Sequence, residues 1–133
     1  MKFICLCGLV LVLVACAAPP EPSVDLSGED LYARNCAACH GPAAEGDGPV
    51  ASVMTLSVPN LRGLAERNNG VFPSNTVREY IDGRRTANAH GDRYMPVWGT
   101  EFRLMENGNG RNAEARINTL TEFLASIQYG GGR

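Results

Sequence analysis

Lysine is nearly absent from this 133-residue chain: Lys2 is the only one, and every other basic side chain is an arginine. Past Lys2, 11 arginines stand against 14 acidic residues, a formal charge of −3. That balance provides no broad basic face, which argues against nucleic acid as a partner and gives no reason to expect a strongly acidic one. Histidine is equally scarce, with His40 and His90 the only two. A zinc site built on the cysteines would therefore be short of good ligands. No stretch alternates convincingly as a strand, and no βαβ pattern frames a thioredoxin-like dithiol. The length favours a single domain.

The first residues are set apart from the rest. Lys2 supplies a positive start, and Phe3 to Ala15 is almost unbroken apolar sequence. That run is roughly 13 residues, the size of a signal-peptide core and short of the roughly 20 that a spanning helix needs. It ends in Leu13-Val14-Ala15-Cys16, which resembles the lipobox of bacterial lipoproteins. The resemblance implies cleavage before Cys16 and lipidation of its thiol, the nucleophile that can take a thioether-linked diacylglycerol. Two or three acyl chains anchor stably where one does not. Ordinary cleavage nearby, leaving Cys16 free, and an uncleaved anchor are the competing readings. Pro19, Pro20 and Pro22 then favour an extended spacer. The chain accordingly divides into a signal peptide (1–15), a lipidated cysteine with a proline-rich tether (16–26) and a folded domain (27–133). This organisation implies a bacterial exported protein held by lipid at the periplasmic side of the cell envelope. Ala17, where Asp would mark inner-membrane retention, favours the outer membrane.

Of five cysteines, Cys5 and Cys7 fall in the signal segment and Cys16 at the lipobox. The remaining pair forms Cys36-Ala37-Ala38-Cys39-His40, the C-x-x-C-H signature of covalent haem attachment. Two thiols three residues apart, on about one helical turn, can add to the two vinyl groups on one porphyrin edge. The adjacent histidine then lies under the iron as an axial ligand. A redox dithiol and half a zinc site are the alternatives.

The surroundings predict helices. Ser27 is positioned to cap a helix over 28–37, with Asp30 at the capping-box position and Leu26 and Leu31 spaced as a hydrophobic staple. Residues 41–49 are rich in glycine and proline and form a loop. A metal-bound histidine needs an acceptor for its second ring nitrogen, and a carbonyl of this loop, that of Pro49, is the expected one. A short helix is predicted over 60–67. A second is predicted over 74–82, capped by Ser74 and ended by Gly83, and a long one over 112–128 through Ile117, Leu120, Leu124 and Ile127. Four helices with long loops make a poor core unless a large apolar group fills its centre.

The iron's sixth position has four candidates: Met54, His90, Met95 and Met105. Met95 lies in Tyr94-Met95-Pro96-Val97-Trp98-Gly99, a segment broken by proline and glycine that can approach a haem from the far side. Its bland reading is core filler. His90 is the main rival, while Met54 and Met105 read as packing residues.

Over residues 26–129 the sequence resembles the class I monohaem cytochromes c of bacteria. The resemblance rests on the Asn35–Gly41 motif, on Gly46-Asp47-Gly48-Pro49, on Met95-Pro96-Val97-Trp98-Gly99 and on the terminal amphipathic helix. It implies an all-α cytochrome c fold around one covalent haem c, with thioethers at Cys36 and Cys39 and axial ligands His40 and Met95. It further implies that Gly28, Leu31 and Tyr32 face Leu120, Phe123 and Leu124, and that the proline accepting from the axial histidine is Pro49. Arg84, Arg85 and Trp98 are candidates to hold the haem propionates. The expected function is single-electron transfer to redox protein partners, with no enzymatic activity and no small-molecule substrate. The alternatives are a haem c subunit of a larger periplasmic oxidoreductase and a gas-binding module. The chain departs from mitochondrial-type members, which dock through a ring of lysines that is missing here.

Overall fold

The structure is a computed structural model, which describes residues 26–85, 95–105 and 110–130. The signal segment, Cys16 and His90 lie outside the described residues, as does the tether except for Leu26. The described residues are helical and contain no strand. The all-α class expected from the sequence is therefore the architecture found.

Helix α1 spans Gly28–Asn35. Its start is set as the sequence predicts: Ser27 Oγ accepts from Asp30 N at 3.1 Å and donates to the Asp30 carboxylate at 2.7 Å. It ends two residues sooner than predicted, because Cys36 departs from helical geometry (φ −120°) and its N–H closes on Tyr32 O. A separate single turn, α2, spans Ala37–His40 and stops at Gly41, whose φ of +81° suits only glycine.

The next elements are turns. The segment predicted as a short helix over 60–67 is instead a series of turns leading into a 3-10 turn at Glu66–Asn68. Asn60 Oδ1 accepts from the N–H groups of Arg62 and Gly63, a local bond that competes with helical pairing. Helix α3 spans Ser74–Asp82, the predicted range. Pro73, however, occupies the cap position and Ser74 is already inside the helix, with no side-chain cap bond. Gly83 ends it in the left-handed region, as expected.

Helix α4, Trp98–Met105, was not expected. Pro96 and Gly99 read as helix breakers, yet Pro96 only precedes the helix, and Val97 O accepts from both Thr100 N and Glu101 N. Gly99 is there for packing: a Cβ would fall 2.1 Å from Asp82 Oδ1 and 2.8 Å from Asp82 O. The Asp82 carboxylate, at the end of α3, also pairs with Arg84 and with Arg103 of α4.

Helix α5 spans Gly110–Ser126, and α1, α3 and α4 all pack against it. Its buried face is Ala113, Ile117, Leu120, Thr121 and Leu124, a three- and four-residue spacing that keeps one stripe inward. Gly28 of α1 meets this helix so closely that a Cβ would sit 2.5 Å from Phe123 Cβ and 2.6 Å from Thr119 O. The Tyr32 and Phe123 rings meet in a tilted arrangement with centroids 5.4 Å apart. The predicted crossing of the first and last helices is therefore present. Phe102, Leu31 and Leu120 are the largest fully buried side chains.

Candidate functional site

The site starts from the break between α1 and α2. In α2, His40 N bonds Cys36 O at 2.9 Å and Cys39 N bonds Cys36 O at 3.1 Å. Residues three and four apart on such a turn are neighbours, so Cys36 lies beside both Cys39 and His40. Both thiols are unbridged and partly buried. Burial, followed by the nearby Cys39, pushes the Cys36 thiol up to about 12.

The glycine-rich loop then folds back over this turn. Gly46 N donates to His40 O, Gly48 N to Cys39 O and Val50 N to Ala38 O. All three carbonyls left open by a one-turn helix are satisfied this way. The close approach explains the glycine: a Cβ at Gly48 would lie 2.4 Å from Ala38 O. Ala44, fully buried, accepts a left-handed backbone (φ +61°) within this loop and receives Leu61 N at its carbonyl.

His40 is buried, and its Nδ1–H donates to the Pro59 carbonyl at 3.1 Å. Pro59, not Pro49, is the partner, which corrects the expectation from sequence. Gly46 is the reason: at φ +85°, its missing Cβ leaves room for Val58 O, which a Cβ would approach to 2.4 Å. The Val58–Pro59 backbone therefore reaches the ring. Pro49 is exposed, and its carbonyl is taken by Ser52 Oγ at 3.0 Å. Burial lowers the His40 pKa, opposed in part by the Pro59 bond. A carbonyl can only accept, so Nδ1 carries a proton, and Nε2 is the nitrogen left to offer a lone pair.

The other predicted residues are located as follows. Met95 is half-buried and, with Trp98, Cys36 and Leu64, borders the apolar core. Trp98 stacks on Phe102. Met54 is half-buried, while Met105 is exposed and is not the packing residue it was expected to be. Of the candidate propionate holders, Arg84 pairs with Asp82 and Arg85 with Glu79.

A haem tests well against these residues. Cys36 and Met95 pack against the apolar core, and Cys39 and the buried His40, its second ring nitrogen engaged, lie on the turn that Cys36 caps. The zinc alternative fares worse, for no group of three or more His, Cys, Asp or Glu among the described residues could hold a metal ion. A family model described as cytochrome c matches residues 26–128. The chain belongs to the cytochrome c family. Haem-mediated electron transfer and covalent haem c follow from that membership, and an electron carrier of this family is generally not an enzyme. No curated protein and no solved structure matches the chain.

Sequence reasoning missed Pro59, the part Gly46 plays in admitting it, and α4. The signal for Pro59 was present only as one proline among several. Which carbonyl meets His40 depends on how two loops stack, and no local pattern encodes that.

Proposed function

We propose that this chain carries single electrons through one haem c, attached by thioethers at Cys36 and Cys39 and ligated by His40 and Met95. The observation that supports it is the His40–Pro59 hydrogen bond, which engages Nδ1 and leaves Nε2 as the ring nitrogen available to a metal, on the turn that also carries Cys39 and is capped by Cys36. A carbonyl on Nδ1 fixes the tautomer and strengthens the imidazole as a donor. When bound, the haem supplies a one-electron ferric–ferrous couple. Cys36 and Cys39 fix its edge, and the loop over α2 keeps water from the His40 side. A Met95 thioether holding the iron together with His40 would favour the ferrous state and raise the potential, and Pro96 stiffens the backbone beside Met95.

Were His40 and Met95 both to hold the iron, no position would remain for a small-molecule substrate, and the partners would be redox proteins. Lipidated Cys16 and the tether hold the domain at a bacterial membrane on the periplasmic side, with the outer membrane favoured.

The oxidised near-infrared spectrum tests the ligand set. Holoprotein made with c-type haem maturation should show the weak charge-transfer band of a methionine–ferric bond, and Met95→Ala should abolish it. Absence of the band from the unaltered protein would hand the sixth position to His90 or leave it open.

A further inference from the structure

Gln128 lies just past α5 and is 4% exposed, yet its carboxamide makes three hydrogen bonds. Oε1 accepts from Ala65 N at 2.9 Å, and Nε2 donates to Leu61 O at 2.9 Å and to Leu124 O at 2.7 Å. An apolar side chain there would leave Ala65 N and Leu124 O without these partners in buried positions and Leu61 O in a partly buried one. Two neighbours extend the tie. Tyr129 N donates to Arg62 O, and Arg62 Nε donates to Ile127 O at 3.1 Å, with the guanidinium 4.7 Å above the Tyr129 ring. These bonds from residues 127–129 hold residues 61–65, the segment that begins two residues after Pro59. The same segment is held from the other side by Leu61 N on Ala44 O.

We infer that Gln128 is a positioning residue for the axial histidine: it pins residues 61–65 so that the Pro59 carbonyl stays on His40 Nδ1. This rests on the reading of His40 as an iron ligand. Slackening the tie weakens the Nδ1–H bond and makes the imidazole a poorer donor. The ferric state is then less stabilised and the potential rises. The end of α5 thereby tunes a ligand that it does not touch.

The test uses the holoprotein and its Gln128→Leu variant, with two readouts: the NMR exchange rate of the His40 Nδ1–H and the reduction potential. Exchange at least about tenfold faster, with an upward shift in potential, is expected. A merely structural role would lower the melting temperature and leave both readouts alone, and that result overturns the inference. Should Gln128→Leu give no folded holoprotein, Arg62→Gln, at a partly exposed side chain, decides: faster exchange supports the inference and unchanged exchange overturns it. Lack of ligand-type hyperfine shifts for His40 in the unaltered ferric protein would instead refute ligation by His40, and the inference would fall with it.

Discussion

Tyr32 sits inside the crossing of α1 and α5, and its hydroxyl donates to Gly41 O at 2.7 Å from a buried position. The bond ties the start of the glycine-rich loop back to α1. Burial raises the Tyr32 pKa well above its ordinary 10.0, with Cys36 and then Asp47 adding to the effect. Once Cys36 is a thioether its charge is gone, while burial, the largest cause, remains. The folded state therefore favours the neutral phenol. That contribution is complete below pH 10.0 and is lost as the pH climbs from there toward the folded value. Tyr32→Phe should cost about 1–3 kcal/mol at neutral pH, because the Gly41 carbonyl loses its buried partner. It should also flatten the alkaline loss of stability. Denaturant unfolding of the holoprotein on both sides of pH 10 measures this; an equally steep loss in the variant would rule Tyr32 out as its source. At this scale Cys36, Cys39 and His40 were legible because the chemistry constrains their spacing to one turn. The acceptor on His40 was not, since a carbonyl carries no side-chain signature.

The helices divide by how local their determinants are. Helix α1 was legible from Ser27 and Asp30, α3 from Val77, Ile81 and Gly83, and α5 from its apolar stripe, because caps and periodicity act within a few residues. Helix α4 was not, since Gly99 is a poor helix former chosen for its approach to Asp82. The far end of α5 was overestimated for a related reason. Gln128 reads as a good helix residue, but its side chain takes the Leu124 carbonyl while the backbone turns away toward Arg62. Contact between α1 and α5 yields the sharpest prediction here. With Gly28 so near Phe123 Cβ and Thr119 O, Gly28→Ala should push the helices apart and cost about 1–3 kcal/mol through overpacking. Thermal unfolding of the holoprotein would register it, and an unchanged melting temperature would mean the crossing yields without strain.

For the whole molecule, the proposed reading assigns membrane attachment to lipidated Cys16. No helix among the described residues is long and apolar enough to cross a membrane. Cys16→Ser should move the holoprotein into the soluble fraction with its haem spectrum unaltered; retention on membranes would refute lipidation as the main anchor. With no lysine after Lys2, docking on the proposed reading would not depend on a lysine ring. Composition, the C-x-x-C-H spacing and apolar periodicity were enough to read a helical protein with a covalent haem, because each acts over one turn or one stripe. Packing alone decided which loop backbone meets the His40 ring, where α4 forms and what holds residues 61–65. Those outcomes depend on the approach of chain segments far apart in sequence, through space left by Gly46 and Gly99 and through the bonds of Gln128.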